Sequence, residues 1–170
     1  NWGSAMMTWS DCNNADLELK PILPGYEEVT LELTRILPTT CGGGGIEGDW
    51  VSWMGAFSST NRDGEGFHFG VEVGGVFVMT WYTYLNGKQV WLIGTGVRDG
   101  LRVVFDNMVI TSGAGFGSMF DPADVVRETF GEIIVDFTDC NSFTATVNPV
   151  LPQFHDLVLD MTKIVPGACP

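Results

Sequence analysis

The sequence contains an internal repeat. Residues 3–41 lie over residues 131–169 at a constant offset of 128 and without a gap, and 12 of these 39 positions are identical. Many of the other positions exchange similar side chains, such as Trp9 with Phe137 and Arg35 with Lys163. A repeat of this length means that one structural unit is used more than once, which constrains the fold more than any local pattern does.

The repeat divides the chain into a partial unit and a complete one. We expect residues 1–41 to be the C-terminal third of a preceding unit, residues 42–45 to be a glycine linker, and residues 46–170 to be a complete β-domain. Two explanations of the partial unit stay open. The chain is either a fragment of a longer tandem array, or it carries a native partial unit that a neighbouring molecule completes.

Strand patterns dominate the sequence, whereas helical periodicity is nearly absent. The complete unit contains eight predicted strands, at residues 50–56, 66–73, 76–84, 88–97, 101–112, 131–139, 143–149 and 156–164. Turn dipeptides such as Asn86-Gly87 join several of them as hairpins. This predicts an all-β fold, either an eight-stranded antiparallel up-and-down barrel or a two-sheet sandwich, preceded by three strands of the partial repeat at residues 5–10, 15–21 and 28–36.

The four cysteines fall into two pairs with the same spacing. The interval from Cys12 to Cys41 equals the interval from Cys140 to Cys169, which predicts the disulfides Cys12–Cys41 and Cys140–Cys169. Zinc binding is disfavoured because the cysteines and histidines lack the close spacing of ligand pairs. Disulfides persist in oxidising compartments, so we expect a secreted or cell-surface protein, with the periplasm as an alternative.

The charge of the chain excludes two classes of partner. The formal net charge is −13, from 21 acidic and 8 basic side chains. Nucleic acid and anionic lipid surfaces both bind through clustered basic residues, so neither is an expected partner. No apolar run approaches the length of a membrane-spanning helix, so we expect no membrane insertion.

Several motifs of the complete unit resemble a known domain. They are G-E-G-F at residues 64–67, W-Y-T-Y at 81–84, N-G-K-Q-V-W at 86–91, F-D-P-A-D-V-V at 120–126 and F-T-D-C-N at 137–141. Together they are similar to an uncharacterised β-rich repeat domain of exported bacterial proteins. The chain departs from that pattern at residues 50–53 and at Leu85. The resemblance implies export, repetition and a β fold, and it implies no established activity.

Catalytic and cofactor motifs are absent from the sequence. The nucleophile elbow, the zinc-protease motif, the phosphate-binding loop and the calcium-binding loop do not occur, so we expect neither an enzyme nor a cofactor. Asp121 and Asp124 in FDPAD are weak candidates for a metal site. Turn and cap roles are the favoured interpretation of both residues, since Pro122 can begin a helical turn between them.

Aromatic residues are the remaining candidates for a ligand site. Five of them cluster around the predicted second to fourth strands: Trp53, Trp81, Tyr82, Tyr84 and Trp91. Core packing is favoured, although an outward set would form a platform for sugar rings. The sequence therefore favours a non-catalytic structural or adhesive module that self-associates, in a tandem array or a filament, through strand complementation. A carbohydrate-binding β-module is the alternative.

Overall fold

The computed structural model describes residues 2–35, 52–71 and 76–170. These residues form eleven strands and two short 3-10 helices. They belong to two compact units, one made of Asn1–Gly45 with Ser112–Val126 and the other of Ile46–Thr111 with Arg127–Pro170. Within the described ranges, no helix has the length and the apolar composition needed to cross a membrane.

The first unit contains a three-stranded antiparallel sheet. Its strands are β1 (Gly3–Trp9), β2 (Asn14–Pro21) and β3 (Val29–Thr34), in the order β1-β2-β3. All three predicted strands of the partial repeat are therefore present. The glycine linker expected at residues 42–45 lies outside the described residues.

A segment distant in sequence packs into this first unit. Residues 112–126 carry the 3-10 helices Gly117–Met119 and Pro122–Asp124. The ring of Phe116 lies edge-on to that of Tyr26, with 5.5 Å between the centroids, and Ser118 Oγ donates to Glu27 Oε2 at 2.8 Å. The segment that follows the fifth strand of the complete unit thus contacts the partial repeat.

The second unit is a closed eight-stranded antiparallel barrel. Around the barrel the strands follow the order β10-β11-β4-β5-β6-β7-β8-β9. Their bounds are β4 (Gly55–Ser58), β5 (Gly66–Val71), β6 (Val76–Leu85), β7 (Lys88–Asp99), β8 (Arg102–Ser112), β9 (Val126–Asp139), β10 (Ser142–Pro149) and β11 (Leu157–Lys163). The all-β prediction is confirmed, and of its two architectures the barrel is the one formed.

The local predictions for the barrel hold except at two strands, β4, which is shifted, and β9, which begins at Val126 instead of at the expected residue 131. The β6–β7 hairpin turns at Asn86 and Gly87, whose φ angles of 53° and 74° are those of a turn that needs left-handed residues. The first strand, expected at residues 50–56, instead runs from Gly55 to Ser58, because β4 pairs with β5 over those four residues. The Gly74-Gly75 turn lies outside the described residues.

Phenylalanine rings fill the barrel. Inward side chains alternate with outward ones along each strand, so β6 buries Phe77, Met79, Trp81 and Thr83 while Tyr82 stays exposed. Phe69 lies near the centre of this core, with centroid distances of 5.3 Å to Phe143 and 5.5 Å to Phe57. Small barrels of eight strands are closed by side chains in this way and hold no channel.

One predicted disulfide is present and the other falls partly outside the described residues. Cys140 and Cys169 are bonded, with Cα atoms 5.5 Å apart. Cys12 is disulfide-bonded as well, but Cys41 lies outside the described residues. The Cys140–Cys169 bond ties the β9–β10 turn to the segment that follows β11.

The three-stranded sheet has the same register as part of the barrel. Adding 128 to each residue number converts every β1–β2 and β2–β3 partner into a β9–β10 or β10–β11 partner, as with Trp9↔Ala15 and Phe137↔Phe143. The backbone contacts around the strands correspond too. Ile22 N donates to Trp2 O at 2.8 Å, and Val150 N donates to Phe130 O at 2.7 Å.

Candidate functional site

One face of the three-stranded sheet consists entirely of apolar side chains. Three rows of three residues cross it in register: Ala5, Leu19 and Val29; Met7, Leu17 and Leu31; Trp9, Ala15 and Leu33. We call these nine residues the apolar face. Among them Ala15 is buried, whereas Trp9 is 63% exposed, Met7 46% and Leu31 40%. An exposed contiguous patch of this kind marks an interaction surface more often than scattered apolar residues do.

The opposite face of the same sheet is polar. Alternation places ten other residues there: Ser4, Met6, Thr8, Asn14, Asp16, Glu18, Lys20, Thr30, Glu32 and Thr34. Met6 is the one apolar residue among them. The charged groups interact locally, since Lys20 Nζ lies 3.3 Å from Glu18 Oε2. The sheet therefore has the two-sided pattern of a sheet that packs on a core through one face.

The barrel shows what such a face contacts when it is covered. At the equivalent positions stand Ile133, Val147 and Leu157; Val135, Ala145 and Leu159; Phe137, Phe143 and Met161. Eight of these nine are buried, and Leu157 is partly buried against the core. The rows that form the core of the barrel thus have counterparts in the three-stranded sheet that are exposed or partly exposed, apart from the buried Ala15.

The two edge strands of the three-stranded sheet correspond to barrel strands that are paired on both sides. β1 and β3 are the outer strands of their sheet. Their counterparts β9 and β11 lie beside β8 and β4, which close the barrel. Among the described residues, no further strand continues the three-stranded sheet. An unpaired edge with an apolar face is a template for another strand.

A pocket of about 320 Å³ opens at one end of the apolar face. Its lining includes Trp9, Ala15, Leu33 and Arg35. In the barrel the corresponding place is occupied by aromatic rings from before and within β4. The Trp53 ring lies 5.0 Å from that of Phe137, and the Phe57 ring lies 5.0 Å from that of Phe143.

Lys163 closes that end of the barrel. Its ammonium donates to Ser52 O at 2.5 Å and to Cys140 O at 3.2 Å, and it lies 5.4 Å from the centre of the Phe57 ring. Burial lowers the pKa of this lysine, because the charged form loses water. No sequence motif singles out Lys163, although its alignment with Arg35 indicates that both copies of the repeat use a basic residue at that place.

The five aromatic candidates separate into two groups. Trp53 and Trp81 are buried, at 6% and 2% exposure, so the expectation of a ligand platform is corrected for these two. Both belong to the core, because Trp81 points inward on β6 and Trp53 packs on Phe137. Their indole Nε1 atoms find no hydrogen-bond partner among the described residues.

The other three aromatic candidates lie on the outside of the barrel. Tyr82, Tyr84 and Trp91 are each between 44% and 49% exposed. Tyr82 and Trp91 are direct partners on β6 and β7, and Gly66 is the partner of Tyr82 on its other side. Because Gly66 carries no side chain, the ring of Tyr82 has no side-chain neighbour at its paired position on β5.

The acidic candidates have structural roles. Asp121 caps the second 3-10 helix by accepting from Ala123 N at 2.8 Å, and Asp124 lies in the first turn of that helix. Asp139 accepts from Asn141 N at 2.7 Å, and Asp11 accepts from Asn13 N at the same distance. In the described part of the chain, no group of three or more His, Cys, Asp or Glu side chains could hold a metal ion.

Hydrogen bonding holds both of the turn aspartates in their charged form. The amide of Asn141 is the largest cause that lowers the pKa of Asp139, followed by the hydroxyl of Ser142. For Asp11 the side chain of Asn14 is the largest cause of the lowered pKa, followed by the amide of Asn13. Both carboxylates stabilise the turns that precede β10 and β2.

Comparisons with known proteins add no relative. No protein-family model matches the chain. No curated protein sequence and no solved structure is significantly similar to it.

Proposed function

We propose that the protein is a non-catalytic structural or adhesive module of an extracellular assembly, and that it associates with other repeat units through the three-stranded sheet. One observation carries this proposal: nine apolar side chains lie in register on that sheet, and their counterparts in the second copy of the repeat are the core of the barrel. A second copy of the chain, or a neighbouring unit of an array, presents complementary strands to this face.

The charge distribution supports association through the apolar face. Copies with a net charge of −13 repel one another. The apolar face carries no charged residue, so contact there buries apolar surface and leaves the acidic groups in water. Added salt screens the repulsion and leaves the apolar contact intact. Association through this face is therefore promoted by salt, whereas association through ion pairs is weakened by it.

The placement of the module outside the cell is also a proposal. It is supported by the Cys140–Cys169 disulfide, which is compatible with an oxidising compartment. In such surroundings the bond stabilises the barrel, because it ties the β9–β10 turn to the segment after β11.

The test uses two adjacent methionines on opposite faces of β1. Met7 belongs to the apolar face and Met6 to the polar one, and both are about half exposed. We expect the unreduced protein to self-associate at high micromolar concentration in sedimentation velocity runs, with filaments or discrete oligomers in negative-stain images. Met7→Lys removes this association, and Met6→Lys, with the same change of charge, retains it. Monomers at every concentration, or equal effects of the two substitutions, contradict the proposal.

A carbohydrate-binding role is the second candidate, and the exposed strip of Tyr82, Tyr84 and Trp91 favours it. Aromatic rings held on neighbouring strands form the apolar platform on which the faces of sugar rings stack. Binding on a glycan array that Trp91→Ala removes would support this role. Val158→Ala is the control, because Val158 is exposed on another barrel strand. Binding that both variants retain would exclude the strip.

A further inference from the structure

We propose that the apolar face is the acceptor of a five-stranded donor from another repeat unit, which carries a phenylalanine in its first strand and a tryptophan four positions earlier, just before that strand. This inference rests on the proposed function and specifies the chemistry of the partner. The donor's first strand pairs antiparallel with β3, and its last strand pairs with β1, so that a second eight-stranded barrel is completed.

The barrel provides the template for this pairing. β4 meets β11 through Thr162↔Ser58 and Lys163↔Phe57, and Ile164 N donates to Ala56 O at 2.9 Å. In the repeat alignment, Thr34 and Arg35 take the places of Thr162 and Lys163. A donor strand of the β4 kind therefore sets its phenylalanine opposite Arg35, where a cation can lie over the ring as Lys163 does.

The acceptor pocket has the shape that such a donor requires. The row Trp9, Ala15 and Leu33 replaces the barrel row Phe137, Phe143 and Met161, so alanine stands where the barrel has a phenyl ring. The space opens into the pocket of about 320 Å³ beside Trp9. Rings from before and within β4 fill the same place in the barrel, which identifies an aromatic pair as the chemistry that fits.

Contact between the apolar faces of two copies alone gives only a weak interface. Three strands spaced about 4.8 Å apart and five residues long at about 3.3 Å per residue cover roughly 14 Å by 17 Å. Two such faces together bury on the order of 500 Å², which is below the roughly 1,000 Å² of a stable specific interface. A donor that also pairs with both edge strands adds the backbone hydrogen bonds of two ladders to the same apolar contact.

A peptide with the sequence of residues 52–60 is the probe. It carries a fluorophore, and its binding to the full-length, unreduced chain is measured by anisotropy. We expect saturable binding, and we expect a peptide in which serine replaces the tryptophan and the phenylalanine to bind at least about tenfold more weakly, because two large apolar side chains are lost. Met7→Lys in the chain removes binding, whereas Met6→Lys retains it.

The location of the bound peptide is read separately from its affinity. In two-dimensional NMR spectra of the labelled chain, the amides of β3 shift on binding and those of β11 do not. Shifts confined to β11 mean that the peptide displaces β4 from the barrel, and this result overturns the inference. Binding that is equal for both peptides, or insensitive to Met7→Lys, also overturns it.

Failure of this inference can be told apart from failure of the proposed function. The same Met6 and Met7 variants are measured for self-association without peptide. If the wild-type chain binds no peptide but self-associates through the Met7 face, the five-stranded donor is wrong and the assembly function stands. If the peptide binds while the isolated chain stays monomeric, the donor inference holds and assembly between identical copies is wrong.

Discussion

Phe137 and Trp9 occupy the same repeat position, but Phe137 is buried and Trp9 is exposed. Replacing each of them by alanine tests this difference in burial. Phe137 is 4% exposed and its ring lies 5.0 Å from Trp53, 5.4 Å from Phe143 and 5.7 Å from Phe69. Removing a ring from such surroundings costs about 3–5 kcal/mol of the free energy of unfolding, from lost transfer energy and the cavity left behind. Trp9 is 63% exposed, so its removal costs about 0.5 kcal/mol or less.

The assay is urea denaturation of the unreduced chain, followed by tryptophan fluorescence. The buried indoles of Trp53 and Trp81 report on the barrel in both variants. With a slope of about 2 kcal/mol per molar urea, Phe137→Ala lowers the midpoint of the barrel transition by roughly 1.5–2.5 M. Trp9→Ala leaves that midpoint within about 0.3 M of the wild-type value, by the same slope.

Two results would refute this reasoning. A loss in Trp9→Ala as large as that in Phe137→Ala would mean that the apolar face is covered within the isolated chain. A loss below about 1 kcal/mol in Phe137→Ala would mean that the ring cluster of the barrel is loosely packed, and that register alone does not decide burial. Val158→Ala, an exposed position on β11, is the control for truncation itself.

Three further predictions concern the covalent bond, one carboxylate and one glycine. Replacing Cys140 and Cys169 together by serine lowers the free energy of unfolding by about 3–4 kcal/mol for a loop with a sequence separation of 29, which urea denaturation of the two unreduced proteins measures. Asp139→Asn is less stable than wild type above about pH 5, where the carboxylate of Asp139 is charged. Because folding lowers the pKa of Asp139, the difference in stability shrinks as the pH falls below about 4. A difference that stays constant from about pH 2.5 to 7 would contradict the role of Asp139 in the turn. Gly131→Ala lowers the free energy of unfolding by about 1–3 kcal/mol, because the φ of Gly131 is 135° and a Cβ would lie 2.3 Å from a backbone oxygen of the paired strand. Gly167→Ala is the control and is close to neutral in thermal or urea unfolding, because open space surrounds Gly167.

Much of the fold follows from local sequence patterns. Alternation in Val76–Leu85 gives its inward and outward residues, and Asn86-Gly87 fixes the register of the β6–β7 hairpin through its turn type. The constant offset of the repeat adds information that local patterns lack, since it predicts that two sets of three strands share one register. The sequence left open whether the strands close into a barrel, because β4 and β11 are far apart in the chain and meet through only two residue pairs.

The candidate site was predicted less well, for a physical reason. The residues around Trp53 favour a strand by composition, but β-propensity depends on the neighbours that a strand meets, and pairing with β5 moves β4 to Gly55–Ser58. Trp53 therefore lies before β4, where its ring packs on Phe137. Periodicity correctly separated Tyr82 from Trp81 onto opposite faces, but it could not decide which face pointed inward. The exposure of the apolar face likewise depends on which strands are present, and no local pattern contains that fact.

The contrast between the two faces of the three-stranded sheet is itself evidence about its environment. On the polar face, serine, threonine and charged residues occupy most positions, which is the composition of strands that stay in water. On the apolar face, all nine positions are aliphatic, methionine or tryptophan, although several are about half exposed. Nothing in the folding of an isolated three-stranded sheet requires that asymmetry, because water covers both faces equally. A partner that covers the apolar face would make the asymmetry stabilising, and the assembly proposed above supplies such a partner.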